Sequence, residues 1–221
     1  MEALAEVYPE YGILQIDAHC DLRKAYEGFE FSHASIMYNA LKIKEITKLV
    51  QVGIRDYCQE EIDVIRASNG RVKTYFDADL KRDVYGGTSW QTLCDSMVNQ
   101  LPPLVYISFD IDGLDPKLCP NTGTPVAGGL EFEQAVYLIL KVVRSGRKII
   151  GFDLNEVAPG TTEWDANVGA RMLYKLCNLM GLSKKMYQDS SYNQLNEGVN
   201  KEAERIKRKN VEEDEDLETA D

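Results

Sequence analysis

The sequence predicts an α/β fold built on a mostly parallel sheet. Short apolar runs at Gly12 to Ile16, Leu49 to Ile54, Val72 to Phe76, Leu104 to Phe109 and Lys148 to Asp153 alternate with segments of helical periodicity. Two of these runs lead directly into acidic clusters, Asp17-Ala18-His19-Cys20-Asp21 and Asp110-Ile111-Asp112. In open α/β sheets, ligands gather beyond the carboxyl ends of the strands. The 221 residues are enough for one sizeable domain with a full core.

Each element has its own signal. Glu2, Glu6 and Glu10 lie in a helical segment, followed by a strand over 11–17. Ala34 to Lys44 reads as a helix, Leu49 to Ile54 as a strand, Gln59 to Ala67 as a helix and Val72 to Phe76 as a strand. Gly86-Gly87-Thr88-Ser89 breaks the chain, with Ser89 positioned to cap a helix through Met97. Pro102 and Pro103 bound the strand at 104–109. Glu131 to Arg144 has strong helical periodicity and Gly146 ends it. After the strand at 148–153 comes a helix from Asn167 to Met180, closed by Gly181, while Ser190 to Lys209 lacks a consistent apolar face. There are no internal repeats. The expected organisation is one domain over 1–185 and a charged, flexible tail over 186–221, where Asp189 to Asp221 holds eleven acids against five bases.

Composition narrows the function classes. The apolar runs near the start are too short for a signal peptide or a membrane span, which points to a cytoplasmic protein without a membrane partner. Five scattered cysteines without C-x-x-C spacing fit reduced thiols. Net charge is −11, and no basic patch emerges for a nucleic acid. An acidic site suits a cationic substrate.

The two clusters offer Asp17, Asp21, Asp110, Asp112 and His19 as ligands. Strand side chains alternate with period 2, so Asp110 and Asp112 should share a face, as should Asp17 and His19, with Asp21 following if the chain stays extended. An oxygen-rich set with one imidazole favours Mn²⁺ or Mg²⁺ over a thiolate-type metal, and Cys20 is a poorer ligand than its neighbours. Two such ions ~3.5–4 Å apart can activate a shared water. The bland alternative for each cluster is a helix cap or turn. A two-metal phosphoester hydrolase is a further reading of Asp-x-Asp at a strand end.

Four motifs in order resemble the ureohydrolases, the family of arginases and agmatinases: Asp17 to Asp21, Ser108 to Pro116, Gly123-Thr124-Pro125-Val126-Ala127-Gly128-Gly129, and Gly151 to Pro159. The resemblance covers roughly residues 1–180. It implies a three-layer α/β/α fold of arginase type with two Mn²⁺ ions at the carboxyl edge of the sheet. Asp17 and Asp110 would touch both metals, His19 and Asp112 would complete one ion, and Asp21 would help hold the other. Glu156 stands where the family has a carboxylate for the substrate guanidinium; such a carboxylate can accept paired N–H bonds. His33 resembles a histidine that moves protons at the site mouth, a role within the ordinary acid–base chemistry of an imidazole. Asp56, in Gly53-Ile54-Arg55-Asp56, matches a loop that contacts the far end of the substrate. Gly128 and Gly129 allow close backbone approach and positive φ. The implied reaction is hydrolysis of a guanidino compound to urea and an amine, with agmatine the first substrate choice and arginine the second. The implied assembly is a homo-oligomer, a trimer or hexamer.

The sequence departs from the family at its start. The upstream Gly-Gly-[Asp/Glu]-His-Ser motif, whose histidine ligates one metal, is absent, and His19 and His33 are the only histidines. The expectation is an N-terminally truncated arginase-like domain, through either a truncated product or a start assigned to an internal methionine. One metal would lose an imidazole, so one ion is the alternative to two. The strand at 11–17 is expected to lose a neighbour and expose an edge. The alternative function is an impaired ureohydrolase fragment that acts only through subunit association.

Overall fold

The computed structural model describes residues 1–189. Its strands are β1 (Tyr11–Ile16), β2 (Ile46–Ile54), β3 (Val72–Phe76), β4 (Leu104–Asp110) and β5 (Lys148–Asn155). They form one sheet in the order β3-β2-β1-β4-β5, with every pairing parallel. β1 is therefore the central strand, bonded on both sides. This corrects the expectation of an exposed edge at 11–17; β3 and β5 are the edges. Strands buried on both faces need continuous apolar runs, and β1 is buried at all six positions.

The helices are α1 (Glu2–Ala5), α2 (Ile36–Ala40), α3 (Gln59–Ala67), α4 (Asp77–Tyr85), α5 (Trp90–Val98), α6 (Phe132–Arg144) and α7 (164–189). They flank the sheet in two layers, giving an α/β/α sandwich. One face meets α4 to α7 through Leu14, Ile16, Val105, Ile107 and Phe109, packed on Met97, Leu138, Ile139 and Met172. The other meets α1 to α3 through Tyr11, Ile13 and Leu49, packed on Met37, Ala40 and Val64. Each fully buried large aliphatic side chain contributes about 1.5–3 kcal/mol. No described helix is long and apolar enough to cross a membrane.

Several boundaries differ from the sequence reading for local reasons. The helix expected over Ala34 to Lys44 is a 3₁₀ turn at His33–Ser35 followed by the short α2. The helical segment through Glu10 amounts to the single turn of α1. α4 was not anticipated; acids in its first turn, the Arg82–Asp79 contact at 2.8 Å and buried Leu80 support it. Ser89 does cap α5, its Oγ accepting from Thr92 N at 3.1 Å. Gly181 does not end α7. Two residues on, buried Ser183 donates to Met180 O and accepts from Ile149 N at 3.0 Å, tying the continuing helix to β5. The expected segment from Ser190 to Lys209 lies outside the described residues, as does nearly all of the expected tail.

Candidate metal centre

The acidic clusters meet at the carboxyl ends of the adjacent strands β1 and β4, where the chain leaves the sheet on both sides of one gap. β1 stops at Ile16, and Asp17 is held by its N–H on Val52 O at 3.2 Å. On the other side, β4 ends at Asp110, whose Oδ1 accepts from Asp112 N at 2.9 Å. That bond winds Ile111–Gly113 into a 3₁₀ turn. Asp112 thus reaches the site by a capped turn, not by the strand alternation expected from sequence. Asp21 likewise arrives by a left-handed residue, φ 54°, and not by continued extension.

Donor atoms of Asp17, His19 and Asp112 lie within 4.8 Å of one another, an arrangement that could hold a metal ion. His19 Nδ1 is 3.0 Å from Asp112 Oδ2 and 3.5 Å from Asp17 Oδ1. Asp17 and Asp112 are almost fully buried. Ala18 N donates to Asp112 Oδ1 at 3.0 Å, and His19 N donates to Asp17 Oδ1. Asp21, Asp110, His33, Asp56 and Glu156 line the same cavity of about 150 Å³. His33 stands at the start of the 3₁₀ turn, its ring 5.4 Å from Tyr26 in an edge-on contact. Asp56 lies at the mouth, Oδ2 3.9 Å from His19 Nε2 and its side chain 65% exposed. Glu156 follows β5 with φ 60°. The structure therefore gathers the eight candidate metal, catalytic and substrate residues around one cavity, with three of the five proposed ligands in the tight cluster.

The electrostatics show what such a cluster lacks. Burial, with the charges of Asp17 and Asp112, pushes Asp110 up to about 9. Burial likewise raises Asp17 to about 6 against hydrogen bonds that oppose it, and raises Asp21 well above the carboxylate range. Burial would lower His19, but Asp112 and Asp17 outweigh it and hold the imidazole up at about 10. Burial also works against Asp112, yet the bonds from His19 and Ala18 keep it below its ordinary value. A divalent cation fits this donor set: it displaces the His19 proton and offsets the repulsion among the acids.

Other residues complete the site. Arg55 donates to Asp112 O at 2.6 Å, Leu114 O at 3.1 Å, Val126 O and Gly53 O, fastening the 3₁₀ turn to β2 and to the loop before α6. A Cβ on Gly113 would sit 2.7 Å from Asp17 N, so only glycine lets the turn lie against the Asp17 loop. At Gly129, φ is 95° and a Cβ would meet Leu114 O at 2.7 Å, in keeping with the close approach expected there. Glu61 accepts from Leu22 N at 3.0 Å and Cys58 N at 2.9 Å, linking the start of α3 to the same loop. Arg55 and Gly113 lie inside the motifs at 53–56 and 108–116, but no local pattern marks their part in the site. Gln15 and Gln51 carried a signal too, as polar residues inside otherwise apolar strands.

A parallel sheet whose central strands end in a buried carboxylate and imidazole cluster defines a class: α/β proteins with a cation-competent site at the carboxyl edge. Within it, the arginase family model matches residues 1–178, and the chain belongs to the arginase family. It is 34% identical to the N(1)-aminopropylagmatine ureohydrolase of Thermus thermophilus over 183 residues, 82% of this chain and 58% of that protein. It is 33% identical to an agmatinase of Halalkalibacterium halodurans, covering 72% of this chain and 50% of the relative. Among solved structures, the proclavaminate amidino hydrolase of Streptomyces clavuligerus superposes with a TM-score of 0.68 at 27% identity, over 82% of this chain and 59% of that one. The chain thus spans about half the length of the curated relatives it matches. Arginase-family proteins are generally metal-dependent hydrolases acting on guanidino compounds.

Proposed function

We propose that this chain hydrolyses a guanidino compound to urea and an amine at a manganese centre, in the cytoplasm, as a homo-oligomer. The observation that carries the reading is the convergence of Asp17, His19 and Asp112 beside the cavity that Glu156 and His33 also line. Agmatine is the first candidate substrate and arginine the second; the names of the agmatine-related relatives support that order. Asp17, His19 and Asp112 would hold one ion, with Asp21 and Asp110 beside it for a second. When bound, manganese supplies Lewis-acid polarisation and makes water more acidic.

The chain's own groups divide the remaining work. The acidic cavity draws in the cationic substrate. The Glu156 carboxylate accepts paired N–H bonds from the planar guanidinium and orients its carbon. A Cβ on Gly123 would lie 3.1 Å from Glu156 Oε2, so the glycine leaves that carboxylate its room. Water oxygen bonds to the guanidinium carbon, the carbon–nitrogen bond to the amine breaks, and the two protons that the water gives up end on the departing nitrogen, the one that releases it passing through His33. Asp56, at the mouth, faces the ammonium group at the far end of the substrate.

One observation favours a second reading, an impaired site acting only through subunit association: His19 is the single imidazole in the donor cluster. Urea release by the full 221-residue chain with excess Mn²⁺, given agmatine or arginine, tests both. Mn²⁺-dependent urea, greater from agmatine, is the expected result. Bound Mn²⁺ without urea from either substrate selects the second reading.

A further inference from the structure

The parallel register places one polar residue on each strand at a single level of the sheet. Thr74 is opposite Gln51, Gln51 opposite Gln15, Gln15 opposite Ser108, and Ser108 opposite Asp153. This row lies two residues before Asp17 on β1 and two before Asp110 on β4, on the same face. Gln15 and Gln51 are completely buried. Polar groups in the middle of a buried sheet are costly unless fully bonded.

The bonding has a direction. Thr74 Oγ1 donates to Gln51 Oε1 at 2.7 Å, which turns the Gln51 amide nitrogen toward Gln15. Gln51 Nε2 donates to Gln15 Oε1 and to Cys20 O, each at 2.7 Å. That turns the Gln15 nitrogen outward, where it donates to Asp17 Oδ2 at 2.9 Å and His19 O at 3.2 Å. From Thr74 to Gln15 the donors run toward the loop that carries Asp17 and His19, gripping it at one carboxylate oxygen and two carbonyls, whereas Ser108 Oγ donates the other way, to Asp153 Oδ1 at 3.0 Å. Apolar residues would fill β1 and β2 more simply, as they do at the neighbouring positions.

We infer that Thr74, Gln51 and Gln15 are positioning residues that hold the Asp17 carboxylate and the His19 loop in place for the cation, from as far away as the edge strand β3. The inference rests on the metal reading of the site. Partners of metal ligands typically contribute about 10–100-fold to metal affinity.

The test is Mn²⁺ binding to the full chain, measured by titration calorimetry and by the electron paramagnetic resonance signal of free Mn²⁺. Thermal melting of the metal-free protein is followed in parallel. Gln15→Met should weaken Mn²⁺ binding about tenfold or more, and Thr74→Val, which touches neither ligand nor loop, severalfold. Thr74→Ser keeps the hydroxyl and should keep the affinity. Thr74→Val should add little in the Gln15→Met background, because the path is already cut. If Thr74→Val lowers the melting temperature while Mn²⁺ affinity stays at the wild-type value, the row is structural only and the inference fails. If the wild-type chain binds no Mn²⁺, the metal reading itself fails and the inference with it.

Discussion

The two faces of the sheet differ in what covers them. On one face, α4 to α7 close over β1, β4 and β5 with aliphatic and aromatic side chains, and Leu138, Ile139 and Met172 are fully buried. On the other, α2 and α3 cover β1 to β3, but above β4 and β5 a cleft of about 990 Å³ stays open, with Met1 to Ala3 at its wall. Tyr106, Ser108, Asp110, Asp153 and Asn155 look into that cleft. The same strands therefore present a packed core on one side and a row of polar and charged groups on the other. The closed face provides stability, and the open face gathers the candidate site at a cost in buried carboxyl groups.

Substitutions on the two faces should separate these roles. Asp110→Asn has the largest expected effect on the open face. It should abolish turnover and weaken Mn²⁺ binding beyond the roughly 10–100-fold cost of losing an outer partner. It should also raise the melting temperature of the metal-free chain at neutral pH, because a carboxyl pushed up to about 9 must take up a proton on folding and the amide need not. Full Mn²⁺-dependent activity in this variant would contradict the ligand assignment. Leu138→Ala belongs to the closed face and should cost about 2–5 kcal/mol of stability by denaturant titration, with Mn²⁺ affinity unchanged.

Gly113→Ala falls between the two. Its Cβ would press on the Asp17 backbone, at an expected cost of about 1–3 kcal/mol together with weaker Mn²⁺ binding. The smallest effect concerns the thiols of the closed face. Burial pushes Cys94 and Cys119 up to about 12, whereas Cys177 is exposed. At pH 8, iodoacetamide should modify Cys177 and spare Cys94 and Cys119 until the protein unfolds. A thiol raised in the folded state stabilises fully below its ordinary value of 9.0, and that contribution fades as the pH climbs toward 12. Stability should therefore decline over that window, and less steeply in a Cys94→Ala variant.

The closed face was the more legible of the two in sequence. Short apolar runs and the periodicity of 131–144 gave five strands and α6 close to their observed positions, because period and burial dictate both. The site residues were legible as motifs, but their geometry was not. Strand alternation suggested that Asp112 follows Asp110 on an extended chain, whereas a side-chain cap makes a 3₁₀ turn there. Asp21 and Glu156 adopt positive φ, which L-residues seldom do and which no local pattern announces. The central place of β1 depends on pairing between segments about ninety residues apart, and the run through Gly181 depends on the contact of Ser183 with β5. Such choices belong to tertiary structure, where a local stop signal can be overridden.

The most direct measurement is an anomalous difference map from crystals of the 221-residue chain grown with Mn²⁺. A peak within bonding distance of Asp17, His19 and Asp112, at the carboxyl ends of β1 and β4, is the predicted result. Crystals with that cluster ordered and no peak there would contradict the assignment of the open edge as a metal centre.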